Sequence, residues 1–237
     1  MTNDKNNLKN QKRGGFYWKD DKPYVSVTEV LKMIDKPQLR YWFGEQIYYA
    51  MVANPTLEKQ KAMQAPYATS DKAKDRGSTV HSIVEAFEHG NKIEDQNIPD
   101  QFKGYAKAFY NWVETSGAKV EAHERTVFSE LYQYAGTLDL LVKLNNDPYP
   151  IVVDVKTGKD IYEEAFMQVS AYRQALTENS EITSGVGILL LKEDGDYKFQ
   201  MSDTTARKFL GFIACRDIWI ALNEEMLKKI GYLKEEK

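Results

Sequence analysis

Asp139 and Asp154 lie in two apolar segments joined by Asn145-Asn146-Asp147-Pro148. That tetrapeptide has the composition of a turn, so segments 132–144 and 149–157 read as a β-hairpin. Pairing Leu144 with Tyr149 sets Asp139 directly opposite Asp154. Alternation supports this register. Leu140, Val142, Ile151, Val153 and Val155 share one face, and Asp139, Asp154 and Lys156 share the other. Two carboxylates opposed across a ladder stand about 5 Å apart at Cβ and repel each other. A hard divalent cation such as Mg²⁺, which prefers carboxylate and carbonyl oxygens, relieves that repulsion. Such an ion acidifies bound water and polarises the group under attack. The ammonium of Lys156, two residues beyond Asp154, adds a second positive charge. The alternative is a pair of solvated carboxylates on an exposed sheet face.

The D-x-K tripeptide alone is a weak signal, since Asp20-Asp21-Lys22 and Asp196-Tyr197-Lys198 match it at turns. Asp154 differs in following Ile151-Val152-Val153 and in facing Asp139. His81 closes the run Arg76-Gly77-Ser78-Thr79-Val80-His81, ahead of Ile83 and Val84. Val80, Val84 and Phe87 recur at helical spacing and predict a helix over 71–89. Glu85 lies four residues after His81 on the same side of that helix. A histidine beside an apolar stripe is commonly structural, but imidazole is also a metal ligand. His89 and His123 lack such company and read as ordinary. Gln168 and Tyr172 are also four apart, on a helix predicted over 162–178, and taken alone they read as packing. Arg173 reads as a solvated or phosphate-facing charge.

These residues must be held by a sheet and its helices. A hairpin is predicted around Asp20-Asp21, and Ser26 with Glu29 fits a capping box. Helical texture follows through Tyr41, Trp42, Ile47 and Met51, interrupted at Pro37 and Pro55. A helix is predicted from Pro99 to Ser116, and a strand over 118–129. Strands 185–192 and 196–201 flank Glu193-Asp194-Gly195, a hairpin turn. A long amphipathic helix from Thr204 to Ile230 completes the pattern.

With 237 residues, one large domain or two small ones are expected. The 32 Lys+Arg against 35 Asp+Glu carry no overall basic signature of nucleic-acid binding, so local patches or metal ions would have to supply it. A single cysteine, Cys215, excludes an internal disulfide, a zinc cage and an iron–sulfur cluster. No apolar run is long enough to span a membrane, and the first residues lack the apolar core of a secretory signal. The expected setting is a cytoplasm, and the abundance of Lys and Asn points to an AT-rich bacterium or its phage.

Taken together, the segments resemble the RecB-like branch of the PD-(D/E)xK nuclease superfamily. The matching stretches are Gly77 to His81, Gly136-Thr137-Leu138-Asp139, Asp154-Val155-Lys156-Thr157 and Gln168 to Tyr172, in the order and spacing of that family. Tyr24 to Thr28, Lys36-Pro37 and Trp42 add a likeness to its phage-type and mitochondrial exonucleases. The resemblance covers roughly residues 22–200.

The resemblance implies an α/β fold with a restriction-endonuclease-like core, a mixed central sheet flanked by helices. Residues 1–15 would be a mobile polar tail. Residues 16–237 would form one nuclease domain, with a helical N-terminal part (16–70), a catalytic core (71–202) and a C-terminal helix (203–237). One or two Mg²⁺ or Mn²⁺ ions would be held by His81, Asp139, Asp154 and the Val155 backbone carbonyl, with Glu85 and Glu124 as less central carboxylates. Lys156 would position or polarise the attacking water, and Gln168 and Tyr172 would line the site, orienting Lys156 or touching the DNA backbone. The implied activity is exonucleolytic hydrolysis of DNA, linear or single-stranded and entered from ends, in recombination, repair or phage DNA processing. A recombination or single-strand-binding protein is the expected partner. Two alternatives stay open: an endonuclease acting on flapped or branched DNA, and a non-catalytic DNA-binding module. Trp18, Tyr41, Trp42 and Phe43 could stack on unpaired bases, although helix packing is the simpler reading.

Overall fold

A computed structural model describes residues 11–87, 97–145 and 147–234; the first ten residues and His89 lie outside them. Eight strands among the described residues form one mixed sheet. They are β1 (Gln11–Arg13), β2 (Phe16–Lys19), β3 (Lys22–Ser26), β4 (Lys119–Ser129), β5 (Tyr134–Lys143), β6 (Ile151–Lys156), β7 (Gly185–Leu191) and β8 (Tyr197–Met201). The helices are α1 (Val27–Val30), α2 (Pro37–Ala53), α3 (Lys59–Glu85), α4 (Asp100–Ser116), α5 (Glu163–Glu178), α6 (Thr205–Leu222) and α7 (Glu224–Lys229). The architecture is the expected mixed α/β sheet flanked by helices, consistent with a restriction-endonuclease-like core.

Strand order is β1-β2-β3-β5-β6-β7-β8, with β4 antiparallel against β5. Strand β5 therefore has three partners on two edges. Strand β4 follows one edge along its length. The other edge is divided: β3 pairs in parallel with Tyr134 and Ala135, and β6 pairs antiparallel with Leu140, Leu141 and Val142. Between those pairings the sheet forks, and residues 136–139 face the fork. A strand edge left open frees backbone groups and side chains for other partners. The observed rungs Leu140↔Val153, Leu141↔Val152 and Val142↔Ile151 are those of the predicted hairpin register. One further rung sets Asp139 opposite Asp154.

Both faces of the sheet are covered. Leu140, Val142, Ile151, Val153 and Val155 pack with Val80 and Val84 of α3 and Phe109 and Trp112 of α4. On the other face, Leu141 and Val152 pack with Phe166, Val169 and Tyr172 of α5 and with Phe212 and Trp219 of α6. Asp154 is consequently 1% exposed. The reading of a solvated carboxylate pair on an open face does not hold.

Several boundaries differ from expectation. Gln11–Arg13 are not tail: they pair with β2 as a strand. The division at 70/71 falls inside α3, because Pro66 is accommodated in the helix as a buried residue. Ser26 and Glu29 do not form a capping box. The Ser26 hydroxyl is 2.9 Å from Thr28 Oγ1, and Glu29 pairs with Lys32. The C-terminal helix is two helices. Asn223 leaves helical geometry (φ −120°, ψ 15°), and Glu224 and Glu225 open the next helix, where acidic side chains favour the dipole.

Candidate metal and phosphodiester site

Helix α3 brings His81 over the fork. Its Nε2 is 3.1 Å from the Val155 carbonyl oxygen. A carbonyl only accepts, so this nitrogen carries the proton and Nδ1 presents a lone pair in the neutral ring. Nδ1 faces Glu124 Oε1 and Asp139 Oδ1, each at 3.6 Å. One ligand atom from each of His81, Glu124 and Asp139 lies within 4.8 Å of the others. Three acceptors converging in this way repel one another unless a proton or a cation sits among them. A nitrogen and two carboxylate oxygens suit a divalent metal ion.

Glu124 reaches the cluster through the register of β4. His123 pairs with Leu140 and Arg125 with Leu138, so Glu124 stands opposite Asp139. Glu124, Asp139 and Asp154 thus form a row of carboxylates across three adjacent strands. The Glu124 backbone is left-handed (φ 44°) within the strand. A non-glycine residue there is strained, and such strain persists only where the surroundings impose it.

Asp139 is held by the backbone beside it: its Oδ2 accepts the Val155 N–H at 2.7 Å. Burial pushes its carboxyl up to about 7; the neighbouring Asp154 charge adds to this, and His81 and Lys156 oppose it. Asp154, one strand on, is held by two donors. Gln168 Nε2 donates to its Oδ1 at 2.9 Å. The Lys156 ammonium stands 2.7 Å from Oδ2, which is buried and accepts no other partner. Burial works against the charge on Lys156, but the Asp154 and Asp139 carboxylates outweigh it and raise its pKa above the ordinary value.

Tyr172 lies beneath this layer. Gln168 Nε2 also donates to its hydroxyl, at 3.1 Å. Burial first, then the charges of Asp154 and Asp139, hold the phenol well above its usual range, so it stays neutral. Its ring packs against Gly136, where a Cβ would come within 2.2 Å of Cε1. Gly136 is therefore required by close approach, and Tyr172 supports Gln168 from below.

The structure brings together His81, Asp139, Asp154, Val155, Lys156, Gln168 and Tyr172. Three expectations are revised. Gln168 holds Asp154, not Lys156. Glu124, not Glu85, joins His81 and Asp139. Glu85 is exposed at the end of α3, on the wall of a cleft of about 530 Å³ that His81 and Glu124 also line. Arg173 is not free for phosphate: it donates to the hydroxyl and carbonyl of Thr183 and ties α5 to the segment before β7. The place of Glu124 was readable in principle. A four-residue turn at 130–133 pairs Ser129 with Tyr134, and counting back from that pair sets Glu124 against Asp139.

No protein-family model matches the chain, and no curated protein does. Among solved structures, the chain is similar to a crystal structure described as "Putative exonuclease" from Eubacterium rectale. The TM-score is 0.43 at 12% identity, with 90% of this chain and 83% of that chain covered. No helix among the described residues is long and apolar enough to cross a membrane.

Proposed function

We propose that this protein is a metal-dependent deoxyribonuclease that hydrolyses phosphodiester bonds from DNA ends. The observation that carries the reading is the row Glu124, Asp139 and Asp154 across β4, β5 and β6, flanked by His81 and Lys156. His81, Glu124 and Asp139 would hold Mg²⁺ or Mn²⁺, with Asp154 and the Val155 carbonyl beside them. When bound, the ion would supply an acidified water and charge stabilisation on the phosphate. Lys156, fixed against Asp154, presents a permanent positive charge to the scissile phosphate. Gln168 keeps Asp154 oriented, and Tyr172 keeps Gln168 in place. The acidic balance of the chain is no obstacle, because a bound cation inverts the local field.

The motif order His81, Asp139, Asp154-Val155-Lys156, Gln168–Tyr172 favours exonucleolytic action in recombination, repair or phage DNA processing, in a bacterial cytoplasm. A recombination or single-strand-binding protein is the partner this role calls for. The test is digestion of linear and closed circular DNA with Mg²⁺, with Mn²⁺ and with EDTA. Metal-dependent loss of the linear molecule with the circle intact is the expected result. Cutting of the circle would make the enzyme an endonuclease, and binding without cleavage by either metal would leave a DNA-binding module.

A further inference from the structure

Helix α2, PQLRYWFGEQIYYAMVA, is mostly apolar and aromatic, yet not one of its side chains is buried. A helix apolar around most of its circumference normally lies inside a protein. Along one side it packs on α3: the Phe43 and Tyr67 rings meet edge-on at 5.4 Å, and Thr69 donates to Gln46 at 3.2 Å. Trp42 packs on Phe43, and Trp18 on the core, so the packing reading holds for these three aromatics. It fails for Tyr41, which is 78% exposed. At 3.6 residues per turn, Tyr48 and Val52 share the face of Tyr41, opposite Phe43 and Gln46. Tyr49 and Met51 flank that face, and all five side chains are half or more exposed.

Gly44 sits in the middle of this face, between Tyr41 and Tyr48. Glycine destabilises a helix interior relative to alanine, and its use there often marks a close approach. No approach within the chain requires it, since a Cβ at Gly44 would meet nothing within 4 Å among the described residues. The result is a hollow flanked by two exposed rings. The helix carries two charges: Glu45 lies on the exposed face, while Arg40 is turned aside and paired with Asp35 at 2.8 Å. The five exposed side chains present about 600 Å² of largely apolar surface, the upper end for the largest patch on a monomer. Buried against a like surface, they would remove about 1,200 Å² from water, which is the lower bound for a stable, specific interface.

We infer that α2 pairs with α2 of a second copy of this chain, across a two-fold axis, through the face of Tyr41, Gly44, Tyr48 and Val52. The occupant is chosen on charge and on area. Nucleic acid is held through its phosphates by cations, and this face offers none. A helix lying on a membrane carries a strongly basic polar side, whereas the side of α2 away from these rings is packed on α3. A two-fold axis sets each residue against the same surface turned round, and a face with a single charge brings no array of like charges together. The area reaches what a dimer requires only when both partners supply it. With 17 residues, α2 is about 25 Å long, enough for side-by-side packing over several turns. The inference makes no use of the carboxylate row and stands apart from the nuclease reading.

The test is sedimentation velocity of the full chain from about 1 to 100 µM, which brackets the micromolar affinity expected near the lower size limit. Wild type should pass from one chain to two and no further. Tyr41→Glu/Tyr48→Glu, at two exposed positions, should stay a single chain throughout, with unchanged circular dichroism. Gly44→Gln fills the hollow without touching its own chain, and should raise the dimer Kd at least about tenfold with the helical signal intact. Leu210→Glu/Leu222→Glu, exposed on α6, is the control and should dimerise as wild type. Wild type that stays monomeric at the highest concentration would overturn the inference. So would a dimer that survives Tyr41→Glu/Tyr48→Glu or is lost in the α6 variant. Oligothymidylate bound by monomeric wild type and released by Tyr41→Glu/Tyr48→Glu would give the face to nucleic acid instead. A dimer that forms as expected in a protein that cuts no DNA would leave this inference standing and remove only the nuclease reading.

Discussion

Asp139 accepts the backbone N–H of Val155 at 2.7 Å, just past the last rung that joins β5 to β6. A side chain thus takes a bond that a strand partner would otherwise make, at the point where β3 and β6 part. The same residue, Val155, presents its carbonyl to His81. One residue of β6 therefore ties the helix-borne histidine to the strand-borne carboxylate through its two flanking peptide groups. The site is built from a defect in the sheet.

The carboxyl of Asp139 is raised to about 7, against an ordinary value near 4. The folded state therefore holds a proton that the unfolded chain releases, and stability falls as pH rises from about 4 to 7. Asp139→Asn, which keeps an acceptor for Val155, should melt a few degrees higher than wild type at pH 8 in EDTA and show little gain at pH 4. Thermal melts at the two pH values check this. A metal ion needs the carboxylate form, so Mn²⁺ affinity of wild type should strengthen through pH 7, as calorimetry would show.

Glu124→Gly should separate stability from metal binding. Glycine tolerates φ 44° without strain, so the metal-free variant should be as stable as wild type or about 1 kcal/mol more stable in urea unfolding. The same change removes a carboxylate from the cluster and should weaken Mn²⁺ binding at least about tenfold. Unchanged Mn²⁺ affinity would place the ion elsewhere.

Gly136→Ala introduces a methyl group 2.2 Å from the Tyr172 ring. Overpacking of this kind costs about 1–3 kcal/mol, measurable by urea unfolding. The double variant with Tyr172→Leu should cost less than the sum of the single changes, because the two residues share one contact.

Lys156→Ala should lower cleavage by about 10²- to 10³-fold, in line with removal of one electrostatic donor. The defect should persist at saturating metal, which separates it from a ligand variant. Rates measured over a Mn²⁺ series would show it.

Much of this was legible in the sequence. The hairpin register followed from alternation and one turn, and it placed Asp139 opposite Asp154 correctly. Helices α4 and α5 were marked by apolar residues at helical spacing. What was not legible depended on long-range placement. Nothing local says that β3 and β6 share one edge of β5, and that division creates the fork. Glu124 enters from the sequence only through the resemblance, beside Glu85, and its place against Asp139 follows only once the β4–β5 pairing is counted. Arg173 looked free because Thr183, its partner, is supplied by the approach to another strand. The exposure of α2 was hidden because an apolar helix reads as a buried one.

The most direct test compares wild type with Asp154→Ala on end-labelled linear DNA, in Mg²⁺, Mn²⁺ or EDTA, with circular dichroism confirming that both proteins are folded. The account predicts release of label by wild type with either metal, none in EDTA, and none by Asp154→Ala under any condition. Equal cleavage by the two proteins, or cleavage by wild type in EDTA, would contradict it.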